Sequence, residues 1–343
     1  MGWPGRSHIT ILSIDGGGVR GVIPLIILQE VQRRLIRRRN TRPFFRIFDL
    51  IAGTSTGGMI ALGLVVPALD AEDGRPTNKA FVSLEDILEI YTVRGLEIFP
   101  RSKFNALRSV KQAFGDKYDC ADFERVLLDV FGQRTLREAA TSVLVTSYDT
   151  ERRRPHFFKR KPGAWNPDEP DFLLRDIARA TAAAPTFFDP AYIAAIPDTG
   201  DRYCLVDGAI IAANPAMCAL IEARKLFPRA RTYDILSLGT GSTVVRYSYH
   251  EMRRWGYLDW VSPVKGVPLS SMTTDAQSEL VNHQLNKLRG VRYYRFDAPL
   301  LGCSEEMDDA GERNMLQLSR LAFEIIQKNS DRLDEVCAIL ARR

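Results

Sequence analysis

Twice before residue 67 a short apolar run ends in a cluster of glycines and passes straight into a longer apolar run of helical period. HITILSI (8–14) leads through DGGGVRG (15–21) into a helix over about 21–38, and IFDLIAG (47–53) leads through TSTGG (54–58) into a helix over about 55–66. Parallel strands need a crossover long enough to hold a helix, so strand, tight turn, helix and strand again is the unit of a parallel sheet covered by helices. The spacing therefore predicts an α/β fold with a central, mostly parallel sheet. Further strands are predicted at SVLVTSY (142–148), HFFKR (156–160), YCLVDG (203–208), YDILSLG (233–239) and VRYYRF (291–296). Helical patterns fill much of 83–98, 121–131, 171–183, 215–226, 272–289 and 311–341, and the polar segment 70–78 reads as a surface loop. No internal repeat or composition break divides the chain, so a single domain over 1–343 is expected.

With 343 residues and 45% hydrophobic side chains, the chain can bury a large core. Its formal charge of +5 suits an anionic surface and falls short of what a nucleic-acid polymer would select. The five cysteines are odd in number and far apart, with no CxxC pair or Cys/His cluster, which points to a reducing compartment and no structural metal. The first residues, MGWPGRSHIT, lack the basic region and apolar stretch of a secretory signal. The longest apolar stretch, 59–69, contains Pro67 and falls well short of the ~20 residues a membrane-spanning helix requires. A cytoplasmic protein that meets any membrane from its surface is the expectation.

The glycine run raises the question of what bare backbone must approach. It can be parsed as GxGxxG with Gly16, Gly18 and Gly21 in the dinucleotide-binding positions, following a strand and opening a helix. Against a phosphate, Asp15 stands at the mouth of the loop, and the acid expected about 20 residues further on is missing. A nucleotide-binding protein that uses this loop as a phosphate cradle is the rival reading.

The second motif, AGTSTGG (52–58), lies between an apolar strand and an apolar helix, the setting of a nucleophile elbow. Gly53 and Gly57 remove side chains where strand and helix cross, and Ser55 would project its hydroxyl at the helix N-terminus, where developing negative charge is favoured. A histidine base is hard to find: of His8, His156, His250 and His283, the last two follow Ser55 in the right order, but neither lies in a glycine-rich strand-end loop. The third motif, LVDGAIIAANP (205–215), ends a strand in Asp207 and Gly208. Taken alone it is equally an Asp-Gly turn; only a fold that places Asp207 and Ser55 at the carboxyl ends of neighbouring strands would join them.

DGGGVRG, GTSTG and DGA, in this order and context, resemble the patatin-like phospholipase family, and ARATAAAPTFF (178–188), SLGTG (237–241) and MDDAGERNM (307–315) extend the resemblance over roughly 8–325. The resemblance implies a three-layer α/β/α fold and a Ser-Asp dyad, with Ser55 as nucleophile and Asp207 as base. It further implies an oxyanion hole from the backbone N–H groups of Gly16, Gly17 and Gly18, and Arg20 as anchor of that loop. The implied reaction is calcium-independent hydrolysis of fatty-acyl esters of membrane phospholipids, with no cofactor and no metal. A non-catalytic lipid-binding protein is the remaining alternative. The chain also broadly resembles compact bacterial members that act as antiviral effectors switched on by cyclic nucleotides, which adds a cyclic nucleotide activator to the expected partners, beside a phospholipid membrane surface and a second copy in a homo-oligomer.

Access to lipid has its own candidate. In FPRSKFNALRSVKQAFGDKY (99–118), Phe104, Leu107, Val110 and Phe114 recur near helical spacing among Arg101, Lys103, Arg108, Lys111 and Lys117. Such a segment is either a lid or membrane-contact element, or a helix packed on the core with its lysines in water. The basic runs at 33–42 and 151–161 are solvated faces, or contacts to head groups or a phosphorylated activator.

Overall fold

A computed structural model describes residues 6–99, 118–163, 170–185 and 187–343. Its main sheet is built from β1 (His8–Ile14), β2 (Leu50–Gly53), β5 (Ser142–Asp149), β6 (Arg154–Arg160), β7 (Ala191–Ala194), β8 (Arg202–Asp207), β9 (Thr232–Leu238) and β10 (Val291–Phe296). The order is β10-β9-β1-β2-β5-β8-β7, with β6 also paired to β5. The run from β10 to β5 is parallel throughout, while β6, β7 and β8 add antiparallel pairings.

Side chains alternate across the sheet and so create two cores. Ile9 and Ile11 of β1, Leu50 and Ala52 of β2 and Leu144 of β5 face one side, where they meet Ala216, Ala219, Leu220 and Ala223 of α6 (Ala216–Leu226) and Leu285 of α7 (Pro268–Leu285). Leu12, Ile14, Ile51, Val143 and Val145 face the other side. There they meet α1 (Val22–Arg37), α2 (Thr56–Val65), α3 (Leu84–Thr92), α4 (Cys120–Phe131), α5 (Leu174–Thr181), α8 (Glu312–Lys328) and α9 (Ser330–Leu340). The result is a three-layer α/β/α architecture. All ten residues of α2 are buried, as an apolar helix between a sheet and an outer helical layer must be.

The predicted strands are present within a few residues, with three differences. Part of the segment read as a loop pairs as a hairpin of β3 (Pro67–Leu69) and β4 (Pro76–Ala80), whose mostly exposed residues show no alternation to read. Four-residue β7 is too short to carry a pattern. The helix expected over 311–341 breaks at Asn329, whose side-chain amide donates to the Ile325 carbonyl at 2.9 Å and competes with the helical ladder.

Candidate active site

Strand β6 pairs with β5 along 143–149, so β2 and β8 must share the opposite edge of β5. They lie on it end to end: Gly53 of β2 is level with Val145, and Asp207 of β8, running the other way, is level with Ser147. Ser55 and Asp207 thus both sit at strand carboxyl ends, as the sequence suggests, but on strands that meet head-on instead of lying side by side. The Ser55 Oγ donates to Asp207 Oδ2 at 2.7 Å, and Asp207 Oδ1 accepts from the Ala209 N–H at 2.8 Å.

The seam between the strand ends is closed by threonines. Thr54 and Thr146 hydroxyls lie 2.7 Å apart, and the Thr181 hydroxyl donates to the Thr146 carbonyl at 2.7 Å while accepting from the Ser55 N–H at 2.9 Å. Ser55 is held at φ 53° and ψ −123°, a backbone region costly for a residue with a side chain. The turn can be this sharp because a Cβ on Gly53 would lie 2.0 Å from the Gly57 carbonyl oxygen, and one on Gly57 2.2 Å from that of Ile14. Both glycines are therefore sites of close backbone approach. Sequence reasoning assigned no role to Thr54, Thr146 or Thr181; only the run 178–188 drew attention, as a likeness.

The glycine loop leaves β1 beside this seam. Gly18 has φ 58°, and a Cβ there would lie 2.1 Å from the Met307 carbonyl oxygen, which accepts the Val19 N–H at 2.9 Å. Gly16 departs from expectation: its N–H donates to the Ala213 carbonyl at 3.1 Å and is not free for an oxyanion. The N–H groups of Gly17 and Gly18 donate to no acceptor among the described residues, and Gly18 lines the same cleft as Ser55. Buried Arg20 donates its Nε to the Gly17 carbonyl at 3.2 Å. Below the loop, Arg295 bridges Asp15 at 2.7 Å and Asp297 at 2.8 Å and donates to the Ser237 hydroxyl at 3.0 Å. Asp15 is thus occupied by a cation of the chain itself.

Ser55 and Asp207 open on a cleft whose walls include Met59, Ile90, Tyr91, Phe123, Phe188 and Met307. It is apolar except at the end where the two side chains meet. Burial pushes the Asp207 carboxyl up to about 6, against the opposing pull of the Ala209 and Ser55 hydrogen bonds. A carboxylate so placed can take the serine proton near neutral pH, and α2 begins at the serine, its dipole favouring negative charge there.

No histidine contacts this pair. His156 packs edge-on among Phe158, Phe172 and Tyr203, and burial lowers its pKa to about 4, so it is neutral at pH 7. His8 pairs with Asp234, His250 lies exposed on the helical turn Tyr249–Met252, and His283 is carried by α7. Of the basic run at 33–42, Arg33 and Arg34 pair with Glu30 at 2.6 Å and Arg38 pairs with Asp334 at 2.8 Å, tying α1 to α9. In the second run, Arg152 pairs with Asp149 and Lys159 with Glu222. The amphipathic residues Phe104, Leu107, Val110 and Phe114 lie outside the described residues.

The family model described as Patatin-like phospholipase matches residues 12–220. Patatin-T5 of Solanum tuberosum is 32% identical over 346 aligned residues, covering 94% of this chain and 84% of that one. Patatin-like protein 2 of Oryza sativa subsp. indica is 29% identical over 356, covering 95% and 85%. A solved structure of VipD from Legionella pneumophila aligns with 93% of this chain and 67% of its own at 12% identity and a TM-score of 0.38. By its family match and its near-full-length kinship with the patatins, the chain belongs to the patatin-like phospholipase family and is a lipid acyl hydrolase.

Proposed function

We propose that this enzyme hydrolyses fatty-acyl esters of membrane phospholipids through a Ser55–Asp207 dyad, without calcium. The observation that supports it most is the 2.7 Å hydrogen bond from Ser55 to a buried carboxylate at the polar end of an apolar cleft. Asp207 takes the proton as the Ser55 Oγ attacks the ester carbonyl, and the Gly17 and Gly18 amides stabilise the oxyanion. Asp207 returns the proton to the departing alcohol, leaving an acyl-enzyme. Water, deprotonated by the same carboxylate, releases the fatty acid and restores the serine. The apolar cleft suits an acyl chain, each methylene of which gains ~0.8 kcal/mol on leaving water.

Fatty-acid release from phospholipid vesicles by wild type, Ser55→Ala and Asp207→Asn tests the reading. Activity in wild type alone supports the dyad; activity retained by either variant removes that residue from the mechanism. Activation by a cyclic nucleotide in antiviral defence is the finer part of the proposal and rests on likeness of sequence. The same assay with and without cyclic oligonucleotides decides it, and full activity in their absence rejects gating.

A further inference from the structure

The five most exposed large apolar side chains among the described residues fall on two segments. Val264 is 90% exposed, Tyr257 80%, Leu258 77%, Tyr249 74% and Leu301 74%. The first four belong to the segment that follows β9, and Leu301 to the one that follows β10. Both strands run parallel to β1 and β2, so these segments leave the sheet at the edge where Ser55 and the glycine loop stand. The link to the cleft is direct: Glu305 accepts the N–H groups of Val244 and Val245 at 2.8 and 3.2 Å, and Met307, two residues on, lines the cleft. On the other side, α7 packs beside the turn after Asp207, with Gln277 donating to the Ile210 carbonyl at 3.2 Å.

The segment is organised around its own centre. Trp255 packs edge-on against Tyr247 at 5.0 Å and Trp260 at 5.3 Å, Lys265 lies over its ring at 4.7 Å, and the Tyr247 hydroxyl donates to the Lys265 carbonyl at 2.6 Å. Its exposed apolar groups are therefore held outward by a packed interior. Arg246, Arg253 and Arg254 are exposed among them and have no carboxylate partner among the described residues, whereas Lys265 pairs with Asp259. Apolar and aromatic tips with unpaired cations are the combination that inserts into the head-group region of an anionic bilayer. A second copy docked through this same face would bring its own three arginines into the one interface, which disfavours self-association.

We infer that residues 244–265, with Leu301, form the surface by which the enzyme docks on anionic phospholipid membranes, bringing the cleft mouth to its substrate. The inference rests on the lipid hydrolase reading. Its test pairs two variants, Tyr257→Ser/Leu258→Ser and Arg253→Gln/Arg254→Gln, in co-sedimentation with vesicles of phosphatidylcholine alone or mixed with phosphatidylglycerol. The first should lower partition into both about tenfold. The second should lower partition into the anionic vesicles alone, by roughly fivefold per charge. Hydrolysis of a monomeric short-chain ester, together with wild-type circular dichroism, should be unchanged in both and lost in Ser55→Ala. Unchanged partition in both variants overturns the docking surface, as does a wild type that ignores vesicles or a wild-type dimer that Tyr257→Ser/Leu258→Ser turns into monomers. A Ser55→Ala protein that still cleaves the ester overturns the dyad instead, whatever the vesicles show.

Discussion

Asp207 is under two opposing demands. As the proposed base it must be ionised, while its burial favours the protonated form and raises its pKa to about 6. Turnover should therefore rise with pH up to about 6, tenfold per unit below it, and level off above; a limb centred near 4 would contradict the environment described. The stability consequence has the opposite sign. Because the folded carboxyl binds its proton more tightly than the unfolded one, stability is lost as pH rises from about 4 to about 6, and the loss persists above that range. Asp207→Asn should abolish hydrolysis yet raise unfolding stability at pH 7 by up to about 3 kcal/mol, with little gain at pH 4. Equal pH slopes for the two proteins in denaturant melts would refute this. Ser55 stood out in the sequence as a candidate because an elbow is a local pattern of glycines between strand and helix. Asp207 was legible only as an Asp-Gly after a strand, since what sets it against Ser55 is the direction and register of β8, and neither is written in its own residues.

The elements around Ser55 and Asp207 are secured by buried polar groups whose partners come from distant parts of the chain. Thr181, at the end of α5, serves Ser55 and Thr146 together. Thr181→Val should keep the fold, cost about 1–3 kcal/mol for the two backbone groups it strands, and slow turnover about tenfold, while Thr181→Ser restores both. A Thr181→Val enzyme with wild-type kinetics would show that the elbow needs no such support. Arg295 of β10 stands between buried Asp15 and the partly buried Asp297 under the glycine loop. Arg295→Met leaves buried Asp15 without its ion-pair partner and should cost about 3–5 kcal/mol; Asp15→Asn in the same chain should recover part of that loss. Neither contact can be read from sequence, where Arg295 is one polar residue within VRYYRF. The strands themselves could be read wherever they are buried and apolar, as β1, β5 and β9 are. The hairpin of β3 and β4 and the short β7 could not, because each is too short or too exposed for alternation to show.

For the whole molecule the question is how a lipid passes from an aqueous exterior to an apolar cleft. No helix among the described residues is long and apolar enough to cross a membrane, and no cluster of three His, Cys, Asp or Glu side chains among them could hold a metal ion. Because the proposed chemistry passes through serine and carboxylate alone, chelation by EDTA should leave fatty-acid release from vesicles unchanged. A chelator-sensitive rate restored by calcium would require another mechanism. The head-on meeting of β2 and β8 makes β5 a ruler on which the distance between the reacting groups is marked off. At about 3.4 Å per residue, a two-residue slip of β8 along β5 would carry Asp207 ~7 Å from the serine. Competence is thus graduated in strand residues and not in loop conformations. Warming should leave the enzyme active until the ruler itself melts, so that heat inactivation and loss of the strand signal in circular dichroism fall at one temperature.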